Sequence, residues 1–262
     1  MDAVDHIAFL AGSEPRAAVL AALSREGGLS RDDLVERCGA ARVTVNRNLE
    51  QLGDRGLVAS RDGQWRLTPL GELLATDFLA LAETVETGEE LAPVLRRLPG
   101  EEFDLDPAAL AGAEVTASTA ANPYAPVQRH GETLLAADHA RLLLPAVSPQ
   151  LLEETGERLR AGALEMEIVV SAAVAETFRT EIADVVSALP GSGALELLEH
   201  DGAVPFYLGL VDDGVQVGVA DEEGIPRALA ETGDETVRSW AESTYESYRS
   251  GATPFEVDGA PG

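Results

Sequence analysis

The sequence predicts an α+β protein in which a small helical domain with a β-hairpin is followed by a linker helix and a mixed α/β domain. Three observations predict this class. Closely spaced helical segments and one short hairpin occupy the first quarter of the chain. A long apolar helical stripe follows, and strand-like and helix-like segments alternate beyond residue 107.

The composition is strongly acidic. The 262 residues include 46 Asp and Glu against 19 basic residues, all of them Arg, for a formal net charge of −27. Arg is weakly hydrated, and molar salt screens the repulsion between carboxylates within a few ångströms. The composition therefore predicts a cytoplasmic protein of a halophilic archaeon, with a mesophile of GC-rich genome as the alternative.

Several classes of protein are disfavoured by the same composition. Cys38 is the one cysteine, so no intramolecular disulfide and no multi-cysteine zinc site can form. The four scattered histidines give no metal cluster, and we expect neither a metal nor a cofactor. No apolar run of about 18 residues is present, and the acidic start lacks a signal peptide pattern, so no membrane association is expected.

The charge is unevenly distributed. Residues 1–66 contain nine Arg and ten acidic residues, a net charge of −1, while residues 67–262 carry −26. A nearly neutral quarter on a very acidic chain indicates contact with a polyanion. The alternative is that these Arg residues form salt bridges within their own domain.

The first helices have clear start and stop signals. Helices are predicted over 3–11 and 15–25. Ser30 is the predicted N-cap of a third short helix, which Gly39 ends. This spacing indicates a helix-turn-helix.

The next helix has one apolar stripe, formed by Val45, Leu49 and Leu52. Its opposite, polar face holds four predicted DNA-contacting residues, Arg42, Thr44, Asn46 and Arg47. Arg and Asn side chains can bind guanine and adenine edges in the major groove through two hydrogen bonds. Ala41 stands where a Ser or Thr cap is usual, so the helix is predicted to start later, near Thr44, which weakens the assignment of Arg42.

A hairpin is predicted over 57–67, since Asp62 and Gly63 form a tight-turn pair between two β-prone runs. Arg61 flanks this turn. A hairpin in this position can act as a wing, and Arg61 is predicted to contact DNA phosphates or the minor groove.

The run T-V-N-R-N-L-E-Q-L-x-x-R-G-L-V, followed by the D-G hairpin and L-T-P-L-G, resembles archaeal winged helix-turn-helix transcription regulators. These belong to the broad group that includes ArsR-like and MarR-like repressors, and the resemblance covers about residues 10–75. It implies an N-terminal winged helix domain, residues 1–68, that binds double-stranded DNA. The alternative is a winged helix that binds another protein without DNA.

A linker follows at residues 69–98. Apolar residues recur at helical spacing over 69–85, and a further short helix is predicted over 91–98. The apolar stripe packs on its own chain or on a second copy; because DNA half-sites favour two-fold dimers, we predict a dimerisation helix and a homodimer. The acidic joint 99–107 is the predicted domain boundary.

The C-terminal domain, residues 107–257, alternates strands and helices. Strands are predicted over 115–118, 141–145, 165–171 and 195–199, with a hairpin over 204–220. Helices are predicted over 127–138, 149–161 and 172–188, with a last helix that Asp234 caps.

This half also carries a resemblance. The order N-P-Y-A-P, a strand ending in L-P, V-P-F-x-L-x-x-x-D-D-x-V-x-V-G-V, and W-A-x-x-x-Y-x-x-Y-R resembles the C-terminal domain of haloarchaeal and methanogen winged-helix regulators. That domain is named for a regulator of methanogenesis. The resemblance implies a sensor domain for a small-molecule effector, without naming the ligand.

Ligand contacts are predicted for residues that are unusual in an acidic domain, namely Tyr124, Arg129, Arg141 and Phe206. Arg and aromatic side chains can anchor a small anion or a sugar. The alternative for each is a core aromatic or an Arg that neutralises a neighbouring carboxylate. The three histidines of this half, His130, His139 and His200, are interpreted as surface or loop residues.

Catalytic motifs are missing from the sequence. It contains no G-x-S-x-G, no phosphate loop and no H-E-x-x-H, and the phospholipase D motif requires a Lys that the chain lacks. The sequence therefore predicts a sequence-specific DNA-binding transcriptional regulator and not an enzyme. A protein-interaction module and an enzyme with a DNA-binding appendage are the alternatives.

Overall fold

The computed structural model describes residues 2–100, 102–181, 183, 186, 194–255 and 257. The chain divides into two compact units, residues 1–86 and residues 87–262. The elements of the first unit are α1 (Ala3–Ala11), α2 (Glu14–Glu26), α3 (Arg31–Cys38), α4 (Arg42–Asp54), β1 (Val58–Arg61), β2 (Gln64–Leu67) and the first part of α5 (Pro69–Leu95). Helices α3 and α4 and the hairpin β1–β2 confirm the predicted winged helix fold.

Local hydrogen bonds explain where the helices of the first unit begin. The Ser30 hydroxyl accepts from the Asp33 amide at 3.2 Å, and the Asp33 carboxylate accepts from the Ser30 amide at 2.9 Å. This reciprocal pair satisfies two amides that a helix start otherwise leaves free. The core is formed by fully buried leucines, among them Leu20, Leu34 and Leu49.

Helix α5 is a single helix, so the prediction of two separate helices in the linker is wrong. The residues between 86 and 90 include no strong helix breaker, because one Gly costs only about 1 kcal/mol inside a helix. Pro93 lies inside the helix near its end. The two units divide at residues 86 and 87, within α5, rather than at the acidic joint 99–107.

Within the first unit, some residues of the apolar stripe of α5 are packed in the core and others are exposed. Leu74, Ala75 and Phe78 pack against the core of that unit. Four others are exposed to solvent, with exposed fractions of 48% for Leu70, 63% for Leu73, 53% for Leu81 and 52% for Val85.

The second unit contains one mixed sheet. Its elements are a 3₁₀ helix (Pro107–Leu110), β3 (Glu114–Ala117), α6 (Ala125–Ala136), β4 (His139–Leu144), α7 (Pro149–Arg160), β5 (Glu165–Ser171), α8 (Ala172–Thr180), β6 (Leu195–His200), β7 (Tyr207–Val211), β8 (Gly214–Ala220), β9 (Pro226–Thr232), α9 (Glu235–Ser250) and β10 (Ala252–Pro254). The strand order among the described residues is β10-β6-β5-β4-β7-β8-β9-β3. Strands β4, β5 and β6 are parallel and the other pairs are antiparallel, which confirms the predicted mixed α/β domain.

Two strands, β9 and β10, were not predicted from the sequence. Strand β9 contains two Ala and one Glu among its seven residues and begins with a proline, and all three residue types are depleted in strands. Strand β10 has only three residues. The predicted helix over 172–188 is observed as α8 up to Thr180, and most of its remainder lies outside the described residues.

The sheet has two differently packed faces. Leu142, Ile168 and Phe178 belong to the core beneath α6, α7 and α8. Leu143 and Tyr245 belong to a second core on the opposite face, which α9 covers. Successive residues of a strand point to opposite faces, so a shift by one residue moves a side chain from one core to the other.

Candidate nucleic-acid interface and ligand cavity

Helix α4 begins at Arg42, so the prediction of a later start near Thr44 is wrong. Ala41 occupies the N-cap without a side-chain hydrogen bond, and its carbonyl accepts from the amides of Thr44 at 2.8 Å and Val45 at 3.1 Å. The helix is held instead by its buried face, where Val45 and Leu49 are completely inaccessible to solvent. Tertiary packing therefore replaces the missing cap.

The predicted DNA-contacting residues differ in how far they reach into solvent. Arg42 and Arg47 are exposed, whereas Thr44 and Asn46 are half-buried. The Asn46 Oδ1 atom is buried without a hydrogen-bond partner among the described residues. Sequence reasoning missed Val43, which is 79% exposed between the two arginines. An exposed apolar side chain at this position can contact the methyl group of thymine.

The two units differ in how many of their arginines form ion pairs with carboxylates. In the second unit, the ion-paired arginines include Arg129, Arg141, Arg158, Arg179, Arg227, Arg238 and Arg249. The first unit has two, since Arg37 pairs with Glu26 and the exposed Arg42 with Asp32. Neither Arg47 nor Arg61 has a carboxylate partner in the described part of the chain. Their positive charge therefore stays available to a polyanion.

Several basic side chains lie close together in the region around α4. Burial lowers the pKa of Arg16, and the positive charges of Arg55 and Arg47 lower it further. The guanidinium carbons of Arg16 and Arg55 lie 3.7 and 3.6 Å from the centroid of the Phe9 ring. The basic groups thus accumulate beside α4 although the chain is acidic as a whole.

The wing is a well-formed hairpin with its arginine at the tip. Asp62 and Gly63 both have positive φ, as the two-residue hairpin turn requires, and Arg61 pairs with Gln64 across it. In the second strand, one residue pair from the turn, the Trp65 amide donates to the Leu29 carbonyl at 2.8 Å. The hairpin is thereby tied to the segment before α3, and Arg61 is exposed beside the turn.

The second unit contains a cavity of about 500 Å³ between the sheet and helices α6 and α7. Its wall is mainly apolar, with Leu134, Leu142, Leu151, Met166 and Ile168 among the lining residues. Volumes of 300–1,000 Å³ and apolar walls are typical of small-molecule sites.

One corner of the cavity is polar: His130 and Tyr207 line it, and they are hydrogen-bonded to Gln216, which contacts Glu231. We call these four residues the polar corner. The Tyr207 hydroxyl donates to Gln216 Oε1 at 2.8 Å, and His130 Nδ1 lies 2.9 Å from the same oxygen. Gln216 Nε2 donates to Glu231 Oε1 at 2.8 Å. Burial lowers the pKa of His130, against smaller opposing effects of Gln216 and Glu231, and burial raises the pKa of Tyr207. At neutral pH both side chains are therefore uncharged.

Two glycines make room for the ring of Tyr207. A Cβ atom at Gly209 would lie 2.1 Å from the Tyr207 hydroxyl oxygen, and one at Gly218 would lie 2.9 Å from ring atom Cδ1. Gly218 is the cross-strand partner of Tyr207. The ring can lie across the sheet only because both positions lack a side chain.

The four predicted ligand residues are not brought together. Tyr124 lines the cavity and is 65% exposed. Arg129 lies behind the polar corner, where it pairs with Glu231 and lies 3.7 Å from Glu114. Arg141 and Phe206 do not line the cavity, because strand alternation directs them to the face covered by α9.

On that opposite face both side chains have other partners. Arg141 lies 3.8 Å from Glu242 and over the ring of Tyr245. Phe206 is 2% exposed and packs against Phe103 and Trp240. Arg141 therefore neutralises a carboxylate and Phe206 is a core aromatic, which are the alternatives stated for these residues from the sequence.

The interpretation of His130 as a surface or loop residue is wrong, since it lies on α6 and lines the cavity. Its position four residues before Leu134, on the apolar side of a predicted helix, was the available signal. No group of three or more potential metal ligands occurs among the described residues. Over the same residues, no single helix is long and apolar enough to cross a membrane, and α1 with α2 meets that test only as a pair bent by 92°.

Comparison with known proteins gives two family matches. The model of the HVO_A0261 N-terminal domain matches residues 4–90. The model of the middle domain of the methanogenesis regulatory protein FilR1 matches residues 123–251.

A curated relative matches part of the chain. The HTH-type transcriptional regulator Rv1719 of Mycobacterium tuberculosis is 43% identical over 79 residues, which make up 29% of this chain and 28% of that protein. The match therefore spans little more than a quarter of the relative's length.

Solved structures show more distant similarity. The archaeal chromatin protein TrmBL2, whose structure is described as showing a novel mode of DNA binding, has a TM-score of 0.41 and 16% identity over 96% of this chain and 99% of that chain. NucT from Helicobacter pylori has a TM-score of 0.43 and 10% identity over 55% of this chain and 98% of that chain. Residues 4–90 are therefore similar to the HVO_A0261 N-terminal domain, residues 123–251 are similar to the FilR1 middle domain, and a 79-residue stretch is similar to a transcriptional regulator.

Proposed function

We propose that this protein is a sequence-specific DNA-binding transcriptional regulator whose second unit binds a small effector. One observation carries the DNA-binding part. Exposed Arg47 on α4 and exposed Arg61 on the wing have no carboxylate partner among the described residues, in a chain whose net charge is −27. Unpaired cations at the start of a recognition helix and at a wing are suited to base edges and phosphates. A DNA partner would place the protein in the cytoplasm.

The salt environment decides which contacts matter. The lysine-free acidic composition supports a halophilic archaeal origin. In molar salt the release of counterions contributes little to binding, so phosphate contacts alone would not hold the complex. Direct contacts from Arg47, and from Val43 beside it, would then carry a larger share of the affinity.

The test begins with genome-wide occupancy in the native host, which identifies the operator. We expect Arg47→Ala to weaken operator binding by on the order of 1–3 kcal/mol and to relax selection at one base position. Fluorescence anisotropy in molar KCl, with operator variants changed at each position, measures both effects.

Arg97→Ala is the matched control, because it removes the same charge from the second unit. It should leave operator affinity within about twofold of the wild type, since surface changes away from an interface have small effects. If Arg47→Ala weakens all DNA sequences equally, its contact is to phosphate. If the wild type shows no enriched sites on the genome, the result favours the alternative that the winged helix binds another protein and not DNA.

We further propose a homodimer that forms through the exposed stripe of α5, defined by Leu70, Leu73, Leu81 and Val85. Four large apolar side chains on one helix favour association, because burying each stabilises by about 1.5–3 kcal/mol. A second copy of the chain is the occupant that two-fold DNA half-sites require.

Leu73→Glu combined with Leu81→Glu should raise the dimer dissociation constant by at least about 100-fold, because both subunits lose two apolar contacts. Sedimentation equilibrium in molar KCl measures this constant. Thr76→Glu is the control, since it adds a carboxylate to the same helix at an exposed position outside the stripe. An unchanged dimer in the double variant would place the interface elsewhere.

A further inference from the structure

The hydrogen bonds of the polar corner determine which ring nitrogen of His130 carries the proton. Glu231 forms an ion pair with Arg129, and a carboxylate in an ion pair can only accept hydrogen bonds. Gln216 must therefore turn its amide nitrogen toward Glu231, in agreement with the 2.8 Å contact between Nε2 and Oε1. The Gln216 oxygen then faces Tyr207 and His130 as an acceptor.

His130 Nδ1 must therefore be the protonated nitrogen. It lies 2.9 Å from Gln216 Oε1, which cannot donate. It also lies 3.1 Å from the Tyr207 oxygen, whose own proton goes to Gln216. In a neutral imidazole the second nitrogen, Nε2, is then a bare acceptor. The structure gives Nε2 no hydrogen-bond partner among the described residues.

Three other polar side chains of the described cavity wall are already hydrogen-bonded, and the remaining one, Tyr124, is 65% exposed. The Thr155 hydroxyl donates to the Leu151 carbonyl at 2.9 Å, and Gln150 donates to Glu154 at 2.8 Å. The Ser148 hydroxyl caps α7 by accepting from the Leu151 amide. No arginine side chain belongs to this wall, so a ligand carboxylate or phosphate would lose its hydration without gaining a cationic partner.

We propose that the cavity binds an uncharged, mainly apolar small molecule that carries a hydroxyl or N–H group, which donates a hydrogen bond to His130 Nε2. The apolar wall supplies most of the affinity, and His130 selects molecules with a donor at one end. This inference deepens the proposed function by giving the chemical class of the effector, and it rests on that function only for its regulatory meaning. Binding is measured without DNA, so its failure would leave DNA binding untouched.

Three probes with one aromatic skeleton test the donor requirement on the full-length protein. They are 4-hydroxybiphenyl, which donates; 4-methoxybiphenyl, which only accepts; and biphenyl-4-carboxylate, which is charged. Isothermal titration calorimetry should show 4-hydroxybiphenyl binding at least about tenfold more tightly than either of the others, the effect of one hydrogen bond to a desolvated acceptor.

His130→Leu should remove this preference and bring the hydroxyl and methoxy probes to within about threefold of each other. His139→Leu is the matched control, since His139 is an exposed histidine at the start of β4 and outside the cavity wall. It should keep the tenfold preference.

A second measurement does not depend on any variant. The chain has four histidines, so selective ¹⁵N-histidine labelling gives a simple spectrum. We expect one histidine in the Nδ1–H tautomer, with an Nε2 resonance that shifts on addition of 4-hydroxybiphenyl and not of 4-methoxybiphenyl. Equal binding of these two probes, tighter binding of the carboxylate, binding of none of the three, or an Nε2–H tautomer at His130 would each overturn the proposal.

Discussion

Gly71→Ala should destabilise the first unit by about 3 kcal/mol or more. A Cβ atom at position 71 would lie 1.9 Å from the carbonyl oxygen of Leu57 and 2.9 Å from its carbonyl carbon. Those atoms are backbone, and the same oxygen accepts a hydrogen bond from the Thr68 amide at 3.0 Å. Overpacking against a side chain costs 1–3 kcal/mol, and here no flexible group can move aside.

The same helix offers the matched control. A Cβ atom at Gly88, which belongs to the second unit, meets nothing within 4 Å, so Gly88→Ala should not lower the unfolding midpoint of the first unit. The chain has two tryptophans, Trp65 in the first unit and Trp240 in the second. Denaturant unfolding followed by Trp65 fluorescence in a Trp240→Phe background reports the first unit. Equal midpoints for Gly71→Ala and the wild type would contradict the close approach of α5 to Leu57.

Tyr245→Phe should destabilise the second unit by about 1.5–3 kcal/mol at neutral pH. Tyr245 is completely buried, and its hydroxyl donates to Glu167 Oε1 at 2.8 Å. Arg249 Nε lies 2.9 Å from both carboxylate oxygens of Glu167. The substitution keeps the ring but removes one hydrogen bond to a charged group, which is worth 1.5–3 kcal/mol.

The effect of Tyr245→Phe should depend on pH. Burial alone would raise the pKa of Glu167, but hydrogen bonds from Tyr245 and Arg249 outweigh it and hold the pKa below its ordinary value of 4.5. A lowered pKa in the folded state stabilises the protein above pH 4.5, and this stability is lost as the pH falls through the folded-state pKa. The difference between wild type and Tyr245→Phe should therefore narrow as the pH falls below 4.5.

Tyr248→Phe is the control for the hydroxyl, on the same helix. Tyr248 is half-buried and has its ring 5.1 Å from that of His200. Removal of the Tyr248 hydroxyl should change the free energy of unfolding by no more than about 0.5 kcal/mol. Urea unfolding followed by Trp240 fluorescence measures all three proteins. A Tyr245→Phe loss that stays constant down to pH 3 would contradict the assignment to Glu167.

Local signals in the sequence were sufficient for the winged helix. Ser30 with Asp33 marks a helix start, and Asp62 with Gly63 marks a two-residue turn, because each pair acts through hydrogen bonds or φ angles of neighbouring residues. The start of α4 was misjudged since its cap is missing and burial of Val45 and Leu49 compensates. The residues that bury this stripe lie on other helices, so the local pattern of α4 does not show how strongly burial stabilises its start.

The candidate cavity was harder to predict, because it depends on which face of a strand a residue occupies. Phe206 and Tyr207 are adjacent aromatics of the same run, yet the first belongs to the core under α9 and the second to the polar corner. His130 meets Gln216 across 86 residues of sequence. Such pairs are set by the register of β7 and β8 and by the placement of α6, which no short motif specifies.

The arrangement of Tyr207 over Gly209 and Gly218 restricts how this domain can diverge. A side chain at either glycine is compatible with the fold only when position 207 holds a residue much smaller than tyrosine. The three positions are therefore expected to covary as one unit among descendants of a common ancestor. A relative that lacks the tyrosine would also lack the polar corner, and its positions 209 and 218 could then hold residues other than glycine. The residues at positions 207, 209 and 218 would therefore predict the ligand preference of a relative.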